Sequence, residues 1–131
     1  VAARRILVID DDEVFRSILR QALERSGFEV SEAASGREAQ SRWKAAAPDL
    51  ILLDIMMPDV DGVTLCREIR AQESLQDVPV VMLSALGDAQ TVNDALLFGA
   101  TDYLVKPADI TAIVEKIEKA LRQADSRRRL R

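Results

Sequence analysis

Two runs of four apolar residues, Ile6-Leu7-Val8-Ile9 and Leu50-Ile51-Leu52-Leu53, contain no side chain suited to facing water. As strands they need cover on both faces, which is the condition inside a parallel sheet. Each run stops abruptly at carboxylates, Asp10-Asp11 and Asp54, and a third run, Tyr103-Leu104-Val105, stops at Lys106-Pro107. If the runs lie parallel and side by side, Asp10, Asp11, Asp54 and Lys106 all emerge at one edge of one sheet. Their carboxylates and ammonium then share a pocket suited to holding a divalent cation and moving a phosphoryl group.

The stretches between these runs are largely helical in pattern. Residues 13–26 repeat Val14, Ile18, Leu19, Ala22 and Leu23 at helical spacing and stop at Gly27. Residues 28–33 alternate, Phe28 and Val30 against Glu29 and Ser31, as a half-exposed edge strand does. Ser35 caps a helix beginning near Gly36, Glu38 completes a capping box, and the helix ends before Pro48. Strands are expected at 5–10, 49–54, 78–84 and 101–105, with a loop at 55–61 containing Pro58. Helices are expected at 62–72, 88–98 and 109–123, the last with Ile110, Ile113, Val114, Ile117 and Leu121 on one face. The sum is a βα unit repeated five times: an α/β chain with parallel strands, right-handed crossovers and helices on both faces. Open sheets of this kind bind ligands beyond the carboxyl ends of their strands, where Asp10, Asp11, Asp54, Ser84 and Lys106 fall.

Composition narrows the classes. With 131 residues, 48% of them apolar, the chain suits one domain with one core. A net charge of -4 speaks against direct nucleic-acid binding by the folded body. The arginine-rich residues 124–131 read as a solvated helix end or a linker, with a nucleic-acid contact as the minority reading. A single cysteine, Cys66, excludes an internal disulfide and reads as a buried or half-buried structural thiol. The absence of histidine excludes His-based catalysis, His metal ligands and phosphohistidine. No apolar stretch approaches the roughly 18 residues of a membrane span. No signal-peptide pattern stands at the N-terminus, so no membrane contact and a cytoplasmic location are expected.

Carboxylates about 4 Å apart repel by about 4 kcal/mol at an effective dielectric of 20. A cluster of three therefore needs compensation; Lys106 offsets one charge and a divalent cation the rest. Oxygen ligands without His or Cys favour magnesium or manganese over zinc. Asp11 and Asp54 are expected as direct ligands, Asp10 through water, and the Met56 carbonyl as a further ligand. A carboxylate such as Asp54 can attack phosphorus to form an acyl phosphate. Lys106 and the Ser84 hydroxyl are placed to bind the phosphoryl oxygens. An Asp after a strand is ordinarily a helix cap, and a lone Lys ordinarily faces solvent. The joint placement is what points to function.

These residues resemble the receiver domain of bacterial two-component response regulators, over nearly the whole chain to about Gln123. The matching segments are Ile6-Leu7-Val8-Ile9-Asp10-Asp11-Asp12, the stretch 49–62 from Asp49 through Asp54 and Met56-Met57-Pro58 to Gly62, Pro79-Val80-Val81-Met82-Leu83-Ser84-Ala85, and the stretch 99–107 ending in Lys106-Pro107. The resemblance implies a flavodoxin-like (βα)5 doubly wound parallel sheet with strand order 2-1-3-4-5. It implies phosphoryl transfer to Asp54 from a histidine kinase or phosphotransfer protein. A magnesium site at Asp10, Asp11, Asp54 and the Met56 carbonyl follows from it, as do phosphoryl binding by Ser84 and Lys106 and a cis Lys106-Pro107 bond. Ser84 and Tyr103 are expected to form the switch, altering the surface of the fourth helix, fifth strand and fifth helix. Residues 1–123 would be the receiver and 124–131 a helix end or linker toward an output domain. Such a chain is a signalling domain rather than an enzyme, catalysing only its own phosphorylation and dephosphorylation.

Two departures stand out. Residues 88–98 contain no Lys or Arg. One class of transcription-factor receivers pairs through basic residues there, so that dimer mode is not expected, though a phosphorylation-linked homodimer stays open. Met56 and Leu86 make the expected pocket rim apolar, which should lengthen the life of the phosphorylated state. The rival reading is an aspartyl-phosphate magnesium phosphohydrolase, which would carry a second acid two positions after the nucleophile, where Met56 stands. A nucleotide-binding α/β domain needs a glycine-rich loop after the first strand, and residues 10–15 contain no Gly. A receiver-like adaptor without chemistry is opposed by the intact Asp54, Ser84 and Lys106 set.

Overall fold

The computed structural model describes residues 3–85 and 89–130. The apolar runs become strands β1 (Arg5–Ile9), β3 (Leu50–Asp54) and β5 (Asp102–Val105), with β2 (Glu29–Ala33) and β4 (Val80–Ser84) completing the sheet. Helices α1 (Glu13–Arg25), α2 (Gly36–Ala45), α3 (Gly62–Ala71), α4 (Ala89–Leu97) and α5 (Ile110–Arg129) alternate with them. The strands form one sheet in the order β2-β1-β3-β4-β5, and every pairing is parallel. This is the doubly wound flavodoxin-like arrangement expected from the sequence.

Strand parity divides the core in two. Leu7, Ile9, Ile51, Leu53, Val80 and Met82 pack against Trp43 of α2, Leu65 and Ile69 of α3 and Ala95 of α4. Ile6, Val8, Leu50, Leu52, Val81 and Leu83 pack against Leu19 and Leu23 of α1 and Ile113 and Ile117 of α5. The uninterrupted apolar runs are explained by this double cover: every residue of β3 and β4 is buried. Strand β2, at the edge, alternates between exposed and half-buried positions from Glu29 to Glu32 and ends on the buried Ala33. Cys66 is buried and free. Among the described residues, no helix is long and apolar enough to cross a membrane.

Several boundaries differ from the sequence reading. Strand β4 starts at Val80, not at 78, because the Val78 amide donates to the Leu75 carbonyl at 3.2 Å in the turn segment that follows the 3-10 turn Glu73–Leu75. Pro79 follows and has no amide to donate. Helix α5 runs past Gln123 to Arg129. Ala124 is buried, and Asp125 accepts from Arg4 at 2.7 Å, so the body of the domain holds a turn that lacks apolar periodicity. The arginines of the last turn, Arg127, Arg128 and Arg129, also suit the negative end of the helix dipole.

Candidate functional site

Register brings the charges together. Ile9 pairs with Leu53, so Asp10 and Asp54 leave β1 and β3 at adjacent points of the carboxyl edge. Leu83 pairs with Asp54, and Ser84 with Val105, so Ser84 and Lys106 sit on the same rim. The Lys106 amide donates to the Ser84 carbonyl at 2.8 Å, tying the ends of β4 and β5 together. The Lys106-Pro107 bond is cis.

The Lys106 ammonium lies between two carboxylates, 2.8 Å from Asp10 Oδ2 and 3.4 Å from Asp54 Oδ2. Asp10 is 2% exposed and Asp54 7%. The other Asp10 oxygen accepts from the Asp12 amide at 2.9 Å, and Asp54 Oδ1 accepts from the Met56 amide at 3.1 Å. Asp11 is exposed, yet one of its carboxylate oxygens lies within 4.8 Å of oxygens of Asp10 and Asp54. Burial, with a further push from the Asp10 charge, raises the Asp54 pKa to about 6, against the pull of the Met56 amide and Lys106. Burial alone would lower the Lys106 pKa, but the hydrogen bonds and charges of Asp10 and Asp54 outweigh it and hold the ammonium. One cation thus serves two buried anions while a third waits at the mouth. Clustered oxygen donors in excess of positive charge fit a magnesium-type cation.

The expected switch residues occupy different depths. Ser84 is fully buried at the end of β4. Tyr103 pairs with Met82 in β5 and packs half-buried against the core beneath α2, α3 and α4. Parity puts Ser84 on that same face, two positions beyond Met82. Met56 is 58% exposed, an open position at the rim, and Leu86 lies outside the described residues.

Sequence reasoning gave no role to several residues that build this edge. Asp12 caps α1 by accepting from the Phe15 amide at 3.1 Å. The Phe15 ring lies 4.6 Å from the Lys106 ammonium, a cation–π contact that helps hold it. Arg16 donates to the Asp10 carbonyl at 2.6 Å. Gly62 permits the loop after Asp54 to double back: a Cβ there would stand 2.5 Å from Ile55 Cα and 2.8 Å from the Asp54 carbonyl oxygen. Asp59 in the same loop accepts from the Gly36 and Arg37 amides at 3.1 and 3.3 Å, which anchors it to the start of α2. The capping pattern offered a signal for Asp12. Nothing local offered one for Arg16 or Phe15, whose partners come from other elements.

The family model of the response regulator receiver domain matches residues 6–118. Among similar proteins, the DNA-binding dual master transcriptional regulator RpaA of Synechocystis sp. is 40% identical over 92% of this chain and 50% of its own length. The chemotaxis protein CheY of Bacillus subtilis is 38% identical over 91% of this chain and 98% of its own length. A CheY-like response regulator receiver domain protein from Methanospirillum hungatei superposes with a TM-score of 0.90 at 27% identity, covering 96% of this chain and 99% of that one. NtrX from Brucella abortus does so with a TM-score of 0.91 at 31% identity, over 98% of this chain and 29% of its own. The chain therefore spans about half the length of the transcriptional regulator RpaA and nearly all of the chemotaxis protein.

Proposed function

The chain belongs to the family of response regulator receiver domains, and from that premise we propose that Asp54 accepts a phosphoryl group from a phosphohistidine of a histidine kinase or phosphotransfer protein. The observation that carries the proposal is the Lys106 ammonium, 2.8 Å from Asp10 and 3.4 Å from Asp54, at the carboxyl edge of the sheet. An Asp54 carboxylate oxygen forms the new O–P bond as the N–P bond to the donor imidazole breaks. Lys106, the weaker of whose two contacts is to Asp54, turns that hydrogen bond toward a phosphoryl oxygen. Ser84 donates its hydroxyl to another.

Asp10, Asp11, Asp54 and the Met56 carbonyl are the groups that would hold magnesium. When bound, the ion supplies the positive charge that phosphoryl transfer chiefly requires. Movement of Ser84 toward the phosphoryl group frees Tyr103 to turn inward, which alters the surface of α4, β5 and α5. Met56, which cannot orient an attacking water, lengthens the life of the phosphorylated state. We assign residues 1–123 to the receiver and the end of α5 to the link with an output module, in a cytoplasmic setting.

The test is labelling with acetyl phosphate and magnesium. Wild type should gain the mass of a single phosphoryl group and Asp54→Asn none; full labelling of Asp54→Asn would remove Asp54 as the acceptor.

A further inference from the structure

Arg16 lies outside the pocket, at the end of the first turn of α1, yet it reaches the backbone of the acidic cluster. Its Nη1 donates to the Asp10 carbonyl at 2.6 Å. That carbonyl belongs to the peptide joining Asp10 to Asp11, so its direction sets where the Asp11 side chain starts. The amide on the other side of Asp10 donates to the Ala33 carbonyl at 3.0 Å. Both peptides flanking Asp10 are thus held, one by the neighbouring strand and one by a guanidinium.

The guanidinium is itself held. Arg16 Nε donates to Glu32 Oε1 at 3.2 Å, with only 13% of the Arg16 side chain exposed. The other Glu32 oxygen accepts from Arg20 at 2.7 Å. Burial favours the neutral form of Glu32, but the bonds from Arg20 and Arg16 outweigh it and keep the carboxylate ionised. Arg20 is braced in turn by Glu24 at 2.6 Å. A rigid, planar fork suits this task, because one guanidinium can satisfy a carboxylate and a carbonyl at fixed angles.

Resting on the receiver reading, we propose that Arg16, oriented by Glu32 of the edge strand, is a positioning residue that sets the affinity of the Asp10-Asp11-Asp54 cluster for magnesium. Asp11 is the exposed member of the cluster. Fixing the peptide before it reduces the ordering that ion binding requires. Groups that orient metal ligands from behind commonly change affinity by 10- to 100-fold when removed. Glu32 adds nothing to the pocket directly; its part is to keep Arg16 aimed.

The experiment titrates magnesium into the metal-free protein, read by the amide shifts of Asp11 and Asp54. It compares wild type, Arg16→Gln, Arg16→Lys and Glu32→Gln, and acetyl phosphate labelling follows at low and high magnesium. Arg16→Gln should weaken magnesium binding by about 10-fold. Its labelling should suffer most at low magnesium and recover as magnesium rises. Arg16→Lys, which keeps the charge but cannot span both partners, should fall between, and Glu32→Gln should follow in the same direction. The Asp11 amide should shift in the metal-free variants, marking the freed peptide. Magnesium binding within twofold of wild type in Arg16→Lys and Glu32→Gln, whatever their thermal stability, would overturn the proposal. Wild-type labelling at Asp54 is read separately, so its failure would count against the acceptor and not against Arg16.

Discussion

The two ends of the sheet each enclose a charge, and they treat it in opposite ways. At the amino edge, Arg70 of α3 donates to the Gly99 carbonyl at 3.0 and 2.8 Å, to Leu75 at 3.0 Å, to Gln76 at 3.3 Å and to Val78 at 2.6 Å. These neutral dipoles knit α3, the 3-10 turn, the start of β4 and the turn after α4. Burial pulls the Arg70 pKa down, but the guanidinium has no shortage of acceptors. At the carboxyl edge, Asp54 has one amide and a share of one ammonium that lies nearer Asp10. A buried charge whose partners are complete is structure; one whose partners fall short is a site awaiting a ligand.

The largest effect that would break this comparison belongs to Arg70. Arg70→Met keeps the stem but leaves its carbonyl acceptors unmet. We expect a loss of about 3 kcal/mol in urea unfolding, and a loss under 1 kcal/mol would deny the knot its role. Asp54→Asn should act in the opposite direction. The native Asp54 pKa of about 6 stands above its ordinary 3.8, so the folded state holds a proton that the unfolded chain has released between those values. Stability from this group is therefore present at low pH and lost as pH rises through about 6. The substitution should stabilise the metal-free protein by about 2–3 kcal/mol at pH 7, and the gain should vanish near pH 4. A destabilised Asp54→Asn at pH 7 would contradict the reading of Asp54 as short of partners.

Ligand binding sharpens the contrast further. Magnesium at ten times its dissociation constant should stabilise wild type by about 1.4 kcal/mol. The same addition should do much less for Asp11→Asn, and thermal unfolding with and without magnesium measures both. The smallest effect is expected at Arg5 and Glu29, an ion pair at 3.3 Å with side chains 54% and 62% exposed. Arg5→Gln should change stability by less than about 0.5 kcal/mol. A larger loss would mean that exposed charges matter to this fold as enclosed ones do.

Much of the carboxyl edge was legible because its signals are local. An apolar run needs cover on both faces, and a charge directly after it must surface at the strand's end; Asp10, Asp54 and Lys106 were found that way. Helix starts at Ser35 and Gly36 were legible from the capping pattern, and the side chain does accept from the Glu38 amide at 3.2 Å. The amino edge was not legible. Arg70 stands in a helix of ordinary amphipathic pattern, and its partners are backbone carbonyls, which every residue carries.

The amino-acid sequence by itself determined the five βα units, the strands that had to be interior and the charges that had to meet at one edge. Periodicity and chain direction suffice for that, because each is read within a few residues. The tertiary structure alone decided the depth of Ser84, the aim of Arg16 at the Asp10 carbonyl, the Phe15 ring beneath Lys106 and the extension of α5 held by Arg4 and Asp125. Those outcomes rest on contacts between distant elements, and a hydrogen bond or ion pair of that kind exists only once both partners have been carried to the same place.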